Sequence, residues 1–409
     1  MRIVLRARVS LAFLLPAFSG IAAADAVIKP GDHIAIIGNT YADQLRIHGY
    51  LETLLLQRTR ENPVSVRNLG WGADTLSSRE RPTNFPTEES MLRSHGTDVI
   101  IACFGMGESF AGKKGIETFR RDLVNFINLH RGRKYNGSTE VRLVLVSPIA
   151  HEDLGELTPK VARRNDELLT YAKAMEKVAK DHALPFVNLY EQTLYLMQDD
   201  AAPKLTINGI HLNAYGYWAA GHILAEKLLP GTPPWLLQID AQSGESTARG
   251  ARISTAKPGN GGITFTVKTD SPPSLIPPSG GGVHDSMDGN RDKLIVENLA
   301  PGTYILTIDG NPVAKAEHEK WAKGVSIDSS PAHRGMETYR QQVNDKNLQF
   351  TYSWKALNQV HIVGERRSSP SGRSLPAEII RFHELATGKE QKLRSAIKPS
   401  TSKWILSPE

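Results

Sequence analysis

His33-Ile34-Ala35-Ile36-Ile37, closed by Gly38-Asn39-Thr40, is the stretch on which the fold turns. A short, largely β-branched apolar run of this kind has the composition of a buried strand. The pattern returns at Val64 to Asn68, Asp98 to Phe104, Val141 to Ser147 and Pro185 to Leu189. Between the runs lie longer segments of helical period: Ala42 to Arg58, Glu88 to Ser94, Ile116 to His130 and Asn165 to His182. The last of these sets Leu168, Leu169, Ala172, Met175 and Ala179 on one face. Short strands alternating with helices predict an α/β domain, a three-layer α/β/α sandwich around five parallel strands. Ligands of such sheets sit beyond the carboxyl ends of the strands. The residues just after each run are therefore where chemistry is sought.

Those residues are Gly38-Asn39-Thr40, Gly70-Trp71-Gly72-Ala73-Asp74, Gly105-Met106-Gly107-Glu108 and Ser147 to His151, with Asn208-Gly209-Ile210-His211 ahead of the last helix. In order and spacing they resemble the blocks of the SGNH (GDSL-type) hydrolase superfamily over residues 30 to 230, in a divergent exported bacterial branch. The resemblance implies the flavodoxin-like SGNH fold, hydrolysis of carboxylic esters such as carbohydrate O-acetyl groups, and no cofactor or metal. It places Thr40 where the family has its nucleophilic serine and His211 at the general base. Asn208 stands where the family has the aspartate of the triad, Asn39 where it has the aspartate before the serine. Gly70 and Gly107 fall on oxyanion-hole positions, with Gly107 and Glu108 replacing an Asn-Asp pair.

These replacements carry a chemical cost. The β-methyl of Thr40 restricts χ1 and crowds attack, and a lost oxyanion donor costs about 10²–10³ in rate. Two functions are therefore expected from the sequence: an esterase with a substituted site, or a catalytically silent module binding a carbohydrate or other ligand. For the first, the Thr40 hydroxyl is expected within hydrogen-bond reach of the His211 ring, with the Thr40 and Gly70 N–H groups as oxyanion donors. Glu108 is the candidate to orient His211 or hold a substrate hydroxyl, or else a solvated carboxylate at a strand end. Trp71 reads as a cleft-wall aromatic for a sugar face or as core. Asp74 and Thr75 read as loop caps, and His151, Glu152 and Asp153 as solvated loop residues rather than rim or metal ligands.

The rest of the chain bounds these readings. A net charge of +6 over 409 residues does not argue for nucleic acid. Cys103 is the only cysteine, which excludes an intramolecular disulfide and a multi-cysteine metal site. Met1 to Ala24 reads as a secretory signal: Arg2, Arg6 and Arg8, an apolar stretch from Val9, and Ala22-Ala23-Ala24 before a mature start near Asp25. This predicts a periplasmic or secreted protein with no transmembrane segment after signal removal. The hydrolase-type domain is expected over residues 25 to 235, followed by a small α+β extension over 236 to 365. In it, Gly262 to Lys268, Lys293 to Leu299 and Gly302 to Gly310 read as strands, and Ala314 to Val325 and Met336 to Trp354 as helices. Residues 366 to 409, basic and rich in Ser and Pro, read as a loosely packed strap or a disordered tail.

Overall fold

The computed structural model describes residues 26–79, 81, 86–278, 282–355 and 368–409. The expected signal and its cleavage point lie outside these. Five strands, β1 (His33–Gly38), β2 (Ser65–Asn68), β3 (Val99–Cys103), β4 (Arg142–Val146) and β5 (Phe186–Val187), form one parallel sheet in the order β2-β1-β3-β4-β5. Their side chains alternate between two cores, as strand geometry requires. Ile34, Ile36, Val99, Ile101, Val144 and Val146 face one layer. Ala35, Ile37, Ile100, Ala102, Leu143 and Leu145 face the other.

The first layer contains α1 (Thr40–His48), α2 (Tyr50–Arg58), α6 (Leu189–Met197) and α7 (Ala214–Leu228), and the second α3 (Glu88–His95), α4 (Ile116–His130) and α5 (Val161–Asp181). The three-layer α/β/α fold expected from the sequence is thus the fold observed. The segment read as one helix from Ala42 to Arg58 is two, because Gly49 adopts a left-handed backbone (φ +66°) between α1 and α2.

The extension builds two more sheets. Strands β6 (Leu236–Asp240), β7 (Ser246–Arg249), β10 (Lys293–Glu297) and β13 (Val325–Ser326) form one. The other is antiparallel, with β8 (Ala251–Gly259), β9 (Gly262–Thr269), β11 (Thr303–Ile308), β12 (Asn311–Glu317) and β14 (Thr401–Pro408) in the order β12-β11-β14-β9-β8. The tail reading is corrected here: β14 occupies the middle of this sheet, where Trp404 and Leu406 are buried against Phe265 and Leu306. Upstream of it, Pro370–Arg394 is the helix α10. The segment from Ala314 to Val325 is also not one helix, since its first residues pair in β12 before the short α8 (His318–Lys323).

Helix α9 (Pro331–Lys355) joins the two halves. It packs on α1, α2 and the edge strand β2. Met336, Tyr339 and Val343 enter the first core, Phe350 and Trp354 the second. Exposed strand edges invite unwanted pairing, and α9 with α10 covers this one. The contact includes buried charge. Lys346 Nζ sits 2.6 Å from Glu52 Oε1 and donates to the Val66 carbonyl at 3.0 Å, while Asn347 donates to Glu52 Oε2 at 2.8 Å. Arg67 of β2 pairs with Glu390 of α10 at 2.9 Å.

Two predictions follow from this buried charge. Removing one partner of a buried pair leaves an uncompensated ion, at a cost of about 3–5 kcal/mol. Lys346→Met should lower the free energy of urea unfolding by about that amount, and the double variant Glu52→Leu with Lys346→Met should recover most of it. Burial raises the Glu390 carboxyl pKa, but Arg67 and Lys346 outweigh it and bring it from 4.5 to about 2. A depressed carboxylate stabilises the fold above its unfolded pKa, and that contribution disappears as pH falls through the folded value. The wild type should therefore lose stability between pH 4.5 and about 2, and Glu390→Gln should show a smaller slope there in urea titrations.

Candidate active site

The site begins where β1 and β3 end side by side. Gly38 has φ +148°, and a Cβ there would lie 2.2 Å from the Cys103 carbonyl oxygen, so only glycine fits. Asn39 N–H donates to that carbonyl at 3.2 Å, and its side chain caps α1 by accepting Tyr41 N–H at 3.0 Å. Thr40 is consequently the first residue of the helix. Its N–H has no acceptor among the described residues, as expected for the first turn of a helix. Its hydroxyl oxygen accepts Ala73 N–H at 3.2 Å.

His211 reaches the same place from a loop anchored by a residue the sequence reading undervalued. Glu152 is buried, not solvated. Its carboxylate accepts Leu205 N–H at 2.9 Å, Thr206 N–H at 2.7 Å and the Thr206 hydroxyl at 2.6 Å. Its own N–H donates to Gly209 O at 2.9 Å. Gly209 (φ +89°) lets the loop turn against His151, whose Nε2 lies 2.4 Å from where a Cβ would stand. Asn213 then caps α7 through Gly216 N–H. The detectable signal for Glu152 was its place in the loop that follows the fourth strand, at the carboxyl edge.

Thr40, Asn39, Gly107 and His211 line one cavity of about 250 Å³, together with Asp74 and the apolar Met106, Phe110, Pro148 and Ile210. Gly107 N–H has no acceptor among the described residues. Thr40 and Gly107 thus offer two unspent donors to a substrate oxygen. Phe110 is 65% exposed, yet held by the Arg164 guanidinium 3.8 Å from its ring centre.

Several expectations are corrected. Gly70 N–H is not an oxyanion donor: it is buried and donates to Asn68 Oδ1 at 2.9 Å, because the Asn68 amide bridges Gly70 and the Ala42 carbonyl. Glu108 does not orient His211. Its two oxygens accept Leu76 N–H and Gly105 N–H, each at 2.9 Å, so it clamps two site loops together. Burial raises its pKa, against the lowering effect of those N–H groups. Trp71 is outside the cavity lining. Its ring packs edge-on to Trp354 of α9, with the Arg81 guanidinium 4.6 Å and Lys355 Nζ 4.9 Å from its centre. Asp74 pairs with Arg81 at 2.6 Å, and Lys355 with Asp43 of α1 at 2.5 Å.

No hydrogen bond joins Thr40 to His211 among the described residues. The imidazole instead meets Asn208, whose Nδ2 lies 2.9 Å and Oδ1 3.2 Å from Nδ1. A Ser–His–Asp chain exists in the extension, with Ser330 Oγ 2.7 Å from His333 Nδ1 and His333 Nε2 2.9 Å from Asp292. All three are buried and Asp292 also accepts Trp235 and Ser274 N–H, so this chain is a structural staple. No group of three or more His, Cys, Asp or Glu side chains among the described residues is placed to hold a metal ion. No helix among them is long and apolar enough to cross a membrane.

Comparison with known proteins bears on the family and the fold. Residues 31–219 match the model of the GDSL-like lipase/acylhydrolase family. No curated protein matches the chain. Among solved structures, a gut microbial diltiazem-metabolizing enzyme superposes with a TM-score of 0.69 at 18% identity, covering 94% of this chain and 100% of that one. It therefore shares the fold of the extension as well as that of the sheet domain. An acetylxylan esterase from Geobacillus stearothermophilus (14% identity, TM-score 0.39) covers 50% of this chain and 96% of its own. A putative GDSL-like lipase from Parabacteroides merdae (16%, 0.40) covers 49% and 97%. Residues 31–219 thus form a domain of the GDSL-like lipase/acylhydrolase type, within the SGNH hydrolase superfamily.

Proposed function

We propose that the chain hydrolyses carboxylic esters with small acyl groups, carbohydrate O-acetyl groups among them, in the cavity between Thr40 and His211. The observation that carries this reading is the convergence on one cavity of a hydroxyl, an imidazole and two unspent N–H groups. A volume of about 250 Å³ lies below the roughly 300–1,000 Å³ of pockets for larger ligands, which favours a short acyl chain.

Thr40 Oγ attacks the carbonyl carbon while His211 Nε2 takes the hydroxyl proton. The carbonyl oxygen, now an anion, is received by the N–H groups of Thr40 and Gly107 at the positive end of α1. The tetrahedral species collapses, the alcohol leaves with the proton from His211, and an acyl-threonine remains. Water then repeats the sequence and releases the acid. The alcohol would rest on the apolar rim of Met106, Phe110 and Ile210.

A second reading, a silent binding cleft, is favoured by the missing Thr40–His211 hydrogen bond and by the spent Gly70 N–H. The basic, apolar and alanine-rich segments of residues 1–24 support action outside the cytoplasm, in the periplasm or secreted.

An ester panel assayed on the purified chain decides between the two. Thr40→Val and His211→Ala should each lower kcat/KM by at least about 10²-fold, with folding intact by circular dichroism, since such groups act as a unit. Binding of substrate analogues with no turnover in any variant would establish the silent cleft.

A further inference from the structure

We infer that Asn208 is a positioning residue that sets the tautomer of His211, holding the neutral ring with its proton on Nε2. Oδ1 of Asn208 accepts the backbone N–H groups of Ile210 at 3.3 Å and His211 at 3.0 Å. These two donors fix which end of the amide is oxygen, because the reversed amide would set its NH₂ against both of them. In that orientation Nδ2 lies 2.9 Å from His211 Nδ1 and Oδ1 lies 3.2 Å away. A proton on Nδ1 would reach Oδ1 only at the longer distance, while lying against the Nδ2 protons at the shorter one. Nδ1 therefore carries the lone pair and accepts from Nδ2–H. A neutral imidazole holds one ring proton, so that proton is on Nε2.

A carboxylate in the same place would present oxygen at both positions. It would draw the ring proton to Nδ1 and free the Nε2 lone pair. The replacement of one oxygen by an NH₂ group thus reverses the tautomer. The inference rests on the proposed hydrolysis for its catalytic consequence. In that reaction Nε2 must take the Thr40 proton, so the resting ring is in the wrong form. Before attack, Nε2 has to release its proton to solvent and Nδ1 has to gain one, breaking the bond from Asn208 Nδ2. Asn208 acts as a brake on proton transfer from Thr40.

The test is the long-range ¹H–¹⁵N spectrum of the full chain labelled with ¹⁵N-histidine, at a pH where imidazole is neutral. The His211 signals are assigned by their disappearance in His211→Gln. The wild type should show an unprotonated Nδ1 and a protonated Nε2. Asn208→Asp should exchange the two and raise kcat at least about tenfold with little change in KM, recovering part of the ~10⁴ that the wrong tautomer costs a Ser-His-Asp triad. A wild-type ring protonated on Nδ1 overturns the inference whatever the activity, as does an Asn208→Asp ring with an unchanged tautomer. If Asn208→Asp fails to fold, the wild-type spectrum alone decides. A tautomer exchange in proteins that hydrolyse no ester would support the assignment while removing the proposed function.

Discussion

The close approach of Gly38 to the Cys103 carbonyl is the constraint on which the rest of the site depends. Parallel strands β1 and β3 run side by side to their last residues, leaving no room for a Cβ at Gly38. The turn that follows spends Asn39 N–H on that carbonyl and the Asn39 side chain on capping α1. Thr40 is then delivered with its N–H unspent at the end of the helix where a developing anion is best received. Gly70 contributes from below. A Cβ there would stand 2.6 Å from Asp43 N, so glycine lets the second loop close onto the first turn of α1.

The extension completes this arrangement rather than standing beside it. Helix α9 buries apolar residues in both cores of the sheet domain and brings Trp354 and Lys355 against Trp71 and Asp43, beneath the loop whose Ala73 N–H reaches Thr40. Charges as deeply buried as Lys346 and Glu52 tolerate only a matched partner. They fix the register of α9 on the edge of the sheet. The superposition of 94% of the chain, including most of the extension, on one solved structure shows that fold recurring as a unit.

How much of this was legible in the sequence depended on the range of the interaction. The five strands were readable because each is a short β-branched run whose alternation serves two cores at once, and Thr40, Gly107 and His211 because they follow strands or precede a helix in order. Glu108 was placed correctly at a strand end but given the wrong partner. Nothing in its neighbours shows that two backbone N–H groups from separate loops will claim its oxygens. Gly70 differs: its acceptor, the Asn68 amide, is two residues away, and the distant element is the Ala42 carbonyl that the same amide also bonds. Trp404 and Leu406 lay in a tail whose serines, prolines and basic residues suggested disorder. They become core only because β9 and β11, far away in sequence, open a gap for β14. Glu152 and Lys346 are polar residues whose burial is decided entirely by distant backbone and charge.

The central claim is that the hydroxyl of Thr40 forms the covalent intermediate. It is tested most directly by quenching the purified chain in acid during turnover of an activated ester and mapping the acyl group by peptide mass spectrometry. The account predicts a single acyl group on the peptide containing Thr40. Turnover with no acyl group on that peptide, or with the acyl group on another side chain, would contradict it.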